Sequence, residues 1–350
     1  MATCVSVESL KSFVQQSLET VGMPSQEADE TAQALVTADA MGVFTHGSKL
    51  LAGYIRRLKG GGYQATGKPR IEREGLAWAV VDGDSALGQV GGIFSVRLAM
   101  QKAREAGVAY VGLRNTGHIG AAGYFAALAA KSGFIAMITG NDMPSVAAPG
   151  SRSAVLGSNP IAYGIPVLAG NPILLDMATS AVAGGKVYAA HSRGEPIAPT
   201  WLIDRTGQPT TDGSLYPHNS SLAPMAGHKG YGIGLWCEIL SAVLPGGHMT
   251  WQVGSWIFDA PEKPSWHNAS FVVIDVDAIA GREKFAERLN HVINEIHAAP
   301  TADGVDQILL PGEREWQNHA NATVDGIPLP SDVIEKLNEV AAVTGVAAAW

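Results

Sequence analysis

Two histidines stand in glycine-flanked loops, one in Phe44-Thr45-His46-Gly47 and one in Asn115-Thr116-Gly117-His118-Ile119-Gly120. An imidazole titrates near neutral pH, so either ring can pass a proton to or from a carbonyl oxygen while a hydride moves at the carbon. Thr45 puts a hydroxyl beside His46 that can orient its ring. Either histidine taken alone also fits a hydrogen-bonded structural residue. Two lysines join them: Lys186 after Gly184-Gly185, and Lys229 in Gly227-His228-Lys229-Gly230. Lys229 falls where a helix opens, adding a cation to backbone N–H groups that already attract anions, which suits a phosphate. Between these points run Gly157-Ser158-Asn159-Pro160 and Leu175-Asp176-Met177-Ala178-Thr179-Ser180. Small polar residues at the ends of apolar, strand-like runs are held rigidly, and glycines let a ligand approach the backbone. This is the make-up of a cofactor platform, although each short piece alone also suits close packing in an α/β core.

The elements that must position these residues follow from periodicity. Val7, Leu10, Val14, Leu18 and Val21 fall near a 3.6-residue period and predict a helix ended by Gly22-Met23-Pro24. Ser25 is expected to cap a second helix reaching Met41 or Gly42, with Glu27, Asp29 and Glu30 in its first turn. A third helix is expected from Ser48 to Leu58, stopped by Lys59-Gly60-Gly61-Gly62. From Ile71 the texture changes. Strands are expected at Trp78 to Val81, Val108 to Leu113, Phe134 to Thr139, Ile161 to Val167, Ile173 to Leu175 and Phe271 to Val276. Helices are expected at Gln89 to Ala106, Ala121 to Ser132, Tyr231 to Leu244, Arg282 to His297 and Ser331 to Val343, with a short strand at Thr200 to Asp204. Chemistry at strand ends, as in the loop Gly140-Asn141-Asp142-Met143-Pro144, is the common α/β arrangement.

Composition narrows the classes. Only 16% of the 350 residues are charged, against ~25% in an average soluble protein, so polar cover for the surface is short and burial in a homodimer would relieve it. A net charge of −8 and the absence of any Lys/Arg run beyond Arg56-Arg57 argue against nucleic acid and against a polybasic membrane patch. The N-terminal stretch has no continuous apolar region of the signal-peptide kind, and no later run approaches ~18 uncharged apolar residues. A soluble cytoplasmic protein is expected. Cys4 and Cys237 make no disulfide framework and no metal motif. There is no G-x-G-x-x-G after a strand, no Walker motif, no H-E-x-x-H and no G-x-S-x-G. Gly185-Lys186 is followed by Val187, which a Walker motif does not allow.

At these residues the chain resembles the malate/L-lactate dehydrogenase type 2 family, which includes ureidoglycolate, sulfolactate and diketogulonate dehydrogenases and piperideine-carboxylate reductases. The match runs from about Ala38 to Glu315. It is carried by Thr45-His46-Gly47 with Tyr54, Asn115 to Gly120 with Gly123-Tyr124, Leu156 to Ala162, Leu175 to Ser180, Gly227 to Gly232, and Leu310-Pro311-Gly312-Glu313. The resemblance implies a three-layer, non-Rossmann, sulfolactate-dehydrogenase-like α/β fold. A helical N-terminal domain, residues 1–70, would pack with the 280–350 region, and residues 71–280 would form the NAD(P)-binding and catalytic domain. It implies a homodimer whose subunits both line the active site. NAD or NADP would lie against Asp142, Asp176, Met177, Ala178, His228, Lys229, Gly312 and Glu313. His46 matches the proton donor of several members and His118 the acid/base of others, with His46 ranked first and Thr45 as its orienting partner. Ser158, Lys186, Tyr54 and Leu50 are the expected substrate contacts.

Three departures qualify this. Thr45 stands where the family has Ser, keeping the hydroxyl and adding a methyl. Leu50 stands where many members carry an Arg that grips the substrate, and Lys49 points about 100° away on a helix. The substrate's second polar group is then absent, smaller or held elsewhere. Lys186 stands where some relatives place a relaying Asp, so a Ser-His-Asp relay is not carried over. The expected reaction is reversible reduction of a small 2-oxo acid to its 2-hydroxy acid by NAD(P)H, with cyclic imino acid reduction as the alternative. A non-catalytic NAD(P)H or metabolite sensor is the rival from another class.

Overall fold

The computed structural model describes residues 3–348 and 350. A short strand, β1 (Thr3–Val5), leads into α1 (Val7–Thr20), whose N-cap Ser6 accepts the Ser9 N–H at 3.1 Å. Leu10, Phe13, Val14 and Leu18 form its buried face, as the periodicity predicts. Helix α2 (Ser25–Ala40) departs from expectation at its start. Pro24 occupies the cap position, and Ser25 instead donates its hydroxyl to Glu19 at 2.6 Å. Proline lacks an N–H to satisfy and its φ of −61° already suits a helix entry, so the serine is left for a side-chain bond. Glu27 stays in the first turn, whereas Asp29 and Glu30 pair with Lys11 and Arg97 at 2.8 Å each. The third helix begins as a 3₁₀ turn, Ser48–Leu50, and continues as α3 (Leu51–Gly60), closed by Gly61 in the left-handed region.

The chain then runs β2 (Arg70–Gly75), β3 (Trp78–Asp82), α4 (Gly88–Ala106), β4 (Val108–Thr116), α5 (Ala122–Lys131) and β5 (Phe134–Gly140). Next come β6 (Val146–Ala147), β7 (Ala154–Leu156), β8 (Ile161–Ile165), β9 (Ile173–Met177), α6 (Gly184–Ser192), β10 (Leu202–Asp204), β11 (Pro209–Thr210) and β12 (Ser220–Leu222). Helix α7 (His228–Glu238) continues into a π-helical turn, Ile239–Val243. The rest is β13 (His267–Asp275), α8 (Val276–Ala280), α9 (Arg282–His297), α10 (Glu313–Asp325), β14 (Ile327–Leu329) and α11 (Ser331–Thr344).

Seven strands form the central sheet in the order β2-β3-β4-β13-β5-β8-β9. Only β3 and β4 are parallel, joined through the α4 crossover, so this is not a doubly wound parallel sheet. Helices α4 and α5 cover one face, burying Ile93, Val96 and Phe125 against Val111, Ile138 and Phe271. The other face carries α7 and its π turn, which completes three layers. Register puts the ends of β4, β5 and β9 and the beginnings of β8 and β13 along one edge: Thr116 pairs with His267, Gly140 with Ala269, and Met177 with Ile161.

Two smaller bodies flank that edge. The N-terminal helices share a core with α11, where Leu10, Leu35 and Tyr54 pack with Val333 and Leu337, and β1 pairs with β14. A five-stranded sheet, β11-β10-β12-β6-β7, packs with α6 around Val146, Val187, Leu202 and Leu222. Most of its strands were not expected, because two or three residues are too few to show an alternating pattern.

Candidate active site

His46 sits in the turn between α2 and α3. Its N–H bonds to the Val43 carbonyl at 3.0 Å, and its side-chain Nδ1 lies 3.0 Å from the Thr45 hydroxyl. Adjacent residues need not face one another; here they do. With Nδ1–H donating to Thr45, Nε2 keeps a lone pair for an incoming proton. Burial lowers the His46 pKa below its ordinary value, with Asp176 and Asp142 pulling the other way. The ring is therefore mostly neutral near pH 7.

His118 follows β4 with its ring 6.0 Å from that of His46. Tyr54, on α3, bonds to its Nδ1 at 2.9 Å, and Gln89 donates to the Tyr54 oxygen at 3.3 Å. A tyrosine that accepts from Gln89 has its own proton to give to Nδ1, which leaves His118 with Nε2–H as a donor. The Trp256 indole stacks on the ring, 4.8 Å between centroids and 16° from parallel. Burial drives the His118 pKa down to about 3, with His267 adding to the effect. His118 is thus a fixed neutral hydrogen-bond donor, while His46 is the ring better suited to exchanging a proton.

Both histidines open on a cavity of about 1990 Å³ along the sheet edge. Asp142 is held there by His267 at 3.1 Å and by the Met143 N–H at 2.7 Å. Burial raises its carboxyl, but His267, His118 and the Met143 N–H together outweigh burial and leave its pKa lowered. Asp176, at the end of β9, accepts the Gly123 N–H at 2.7 Å, and burial keeps its pKa raised. Met177, Ala178, Ser158, Lys186, Leu50 and Gly312 also reach the wall. Four expected residues do not. Tyr54 is fully buried behind His118, so it orients that ring rather than meeting a ligand. His228 and Lys229 lie exposed in the first turn of α7, outside the wall, which Met225 reaches instead. The Glu313 carboxylate turns back to the Leu310 N–H at 2.8 Å and to His297 at 3.0 Å.

Several supports escaped sequence reading. Glu238 is buried and accepts from Asn159 at 2.9 Å, Asn141 at 3.3 Å and the Thr250 N–H at 2.9 Å, while Asn159 also accepts the Asp142 N–H. Arg57, fully buried, donates to the carbonyls of Ser255, Trp256, Ala260 and Lys263, pinning the loop that sets Trp256 on His118.

A family model described as malate/L-lactate dehydrogenase matches residues 5–338. The chain belongs to the malate/L-lactate dehydrogenase family. It is 37% identical to a malate dehydrogenase of Pyrococcus horikoshii, over 98% of this chain and 96% of that protein. It is 33% identical to an NAD(+) ureidoglycolate dehydrogenase of Escherichia coli, over 95% and 94%. The solved sulfolactate dehydrogenase of Methanocaldococcus jannaschii superposes with a TM-score of 0.91 at 32% identity, over 99% of this chain and 98% of that one. The three-layer, sulfolactate-dehydrogenase-like fold of this family is therefore the fold of this chain.

Proposed function

We propose that the protein interconverts a small 2-oxo acid and its 2-hydroxy acid with a nicotinamide dinucleotide, His46 exchanging the proton. The observation that carries this reading is the pair of Nδ1 contacts: Thr45 at 3.0 Å from His46, which as an acceptor leaves Nε2 a lone pair, and Tyr54 at 2.9 Å from His118, which as a donor leaves Nε2–H to give. In oxidation, neutral His46 takes the hydroxyl proton at Nε2. In reduction it returns that proton to the carbonyl oxygen, which His118 Nε2–H polarises. Thr45 holds the His46 tautomer.

A bound dinucleotide supplies or accepts the hydride. The cavity fits such a ligand. Its volume exceeds that of ordinary small-molecule pockets, roughly 300–1,000 Å³, and Asp142 and Asp176 offer fixed carboxylate acceptors for ribose hydroxyls. Met177, Ala178 and Gly312 line it as well, and His228, Lys229 and Glu313 would meet only a cofactor extending past the rim. Arg152 and Arg205 line the cavity and are the groups that suit a 2′-phosphate, so NADP stands beside NAD. Arg193 is tied to Glu195 at 2.7 Å, away from the wall.

The reading includes a homodimer. Leu235, Trp236, Ile239, Val243 and Leu244 are exposed along α7 and its π turn, an apolar strip that a second copy would cover. Among the described residues no helix is long and apolar enough to cross a membrane. Two unpaired cysteines suit the reducing cytoplasm.

The test offers NADH and NADPH to the purified protein with a panel of 2-oxo acids and cyclic imino acids, following loss of reduced-cofactor absorbance. Turnover is expected with at least one 2-oxo acid. His46→Ala should lower kcat by ~10²–10⁴-fold while cofactor fluorescence titrations are unchanged. Cofactor binding without turnover of any panel member, or full turnover in His46→Ala, refutes the reading.

A further inference from the structure

The cavity that holds the two histidines is lined in part by apolar side chains: Leu50, Trp256, Ile257 and Phe258. Leu50 ends the 3₁₀ turn after His46 and lines the cavity. Three residues on, Gly53 leaves room for Trp256: a Cβ there would stand 2.6 Å from the indole Cζ3. The same indole stacks on His118; Leu50 packs against the buried cluster that includes Trp256, and both line the cavity. Ile257 and Phe258, from the same loop as Trp256, line it too.

The cations of the 3₁₀ turn and of α3, beside Leu50, are already engaged. Lys49 lies 2.6 Å from Asp332. Arg56 donates to the carbonyls of Ile257 at 3.2 Å and Asp259 at 2.8 Å. Arg57 is buried and bound to four carbonyls of the Trp256 loop. Lys186 differs: its backbone N–H bonds to the Ala183 carbonyl at 2.9 Å, but its side chain lines the cavity and, among the described residues, its ammonium has no hydrogen-bond or ion-pair partner. The preceding Gly185 packs on the Thr45 methyl, with 3.6 Å from a Cβ built at Gly185 to Thr45 Cγ2, which brings the start of α6 to the His46 turn.

We propose that the substrate is a monocarboxylic 2-oxo acid with an apolar side chain, its carboxylate held by Lys186 and its side chain laid on Leu50 and Trp256. This rests on the reading of His46 and His118 as the reacting pair. Of the three alternatives that Leu50 raised, it selects the absence of a second polar group. A dicarboxylic 2-oxo acid would lay its second carboxylate against Leu50 and Trp256, where Lys49, Arg56 and Arg57 are already engaged, a loss of at least ~100-fold in kcat/KM.

The experiment compares kcat/KM for 4-methyl-2-oxopentanoate and phenylpyruvate with that for oxaloacetate, in the wild-type protein and in Leu50→Arg and Lys186→Gln. The apolar acids should exceed oxaloacetate by at least ~100-fold in the wild type. Leu50→Arg should reverse the order by creating a carboxylate clamp. Lys186→Gln should raise KM for the apolar acids ~10-fold or more, with NADH affinity by fluorescence unchanged. Oxaloacetate turned over as well as the apolar acids, or an unchanged KM in Lys186→Gln, overturns this assignment and leaves the 2-oxo acid reading standing. No turnover of any oxo acid by cofactor-bound protein overturns both. The wild-type comparison holds even where a variant fails to fold.

Discussion

Asp39→Asn should change how the protein's stability responds to pH. Asp39 lies in the last turn of α2 at 1% exposure, under the turn that carries His46. One carboxyl oxygen accepts the Ser48 N–H at 2.8 Å and the other has no partner. Gly47 lies so close that a Cβ there would overlap the carboxyl. Burial pushes its pKa from 3.8 up to about 7, and hydrogen bonding to Ser48 opposes this only in part. The folded protein thus holds this proton over a window in which the unfolded chain has released it. Stability from this group is fully present below pH 3.8 and is lost as pH rises through about 7. A gap of roughly 3 pH units at about 1.4 kcal/mol each makes that loss roughly 4 kcal/mol. Asparagine keeps an acceptor for the Ser48 N–H and cannot ionise, but it buries an amide with no acceptor, costing about 1–2 kcal/mol. The variant should therefore be less stable than the wild type near pH 4 and about 2–3 kcal/mol more stable near pH 8. Urea unfolding of both proteins across this range measures the difference, in which every other titrating group cancels. Parallel stability curves would refute the burial argument, because Asp39 would then titrate alike in the folded and unfolded chains.

Two further predictions concern the proposed site. Because His46 has its pKa lowered by burial, kcat/KM for oxidation should fall as pH drops through a midpoint below 6.5, and kcat/KM for reduction should rise over the same interval. Asp142→Asn, which removes an attractive charge, should move that midpoint lower; a midpoint above 6.5 would contradict burial as the dominant cause. For the dimer, light scattering should give twice the chain mass, and Trp236→Glu, at an indole 51% exposed in the single chain, should shift it towards one. A wild-type monomer at micromolar concentration would remove the α7 strip as an interface.

How far the sequence could be read depended on the range of the interaction. Helix α1 was legible almost to the residue, because burial of one face writes its period into consecutive positions. The glycine-flanked His46 and His118 stood out because small neighbours around a titratable group have few other uses. What failed was adjacency across the chain. His267 holds Asp142 only because β13 inserts between β4 and β5, a pairing over more than a hundred residues that no local pattern announces. Trp256 reads as a loop tryptophan until Arg57, from a helix two hundred residues earlier, gathers its loop onto His118. Asp39 reads as an ordinary helix-end acid, and only the closeness of Gly47 and Ser48 shows that its charge is buried. In each case the titratable group was visible but the neighbour that tunes it was not, because tuning is done by a neighbour in space and costs nothing in local propensity. The substrate question has the same form. Leu50 alone left three alternatives, and the choice among them depends on where Lys49, Arg56 and Lys186 spend their charge.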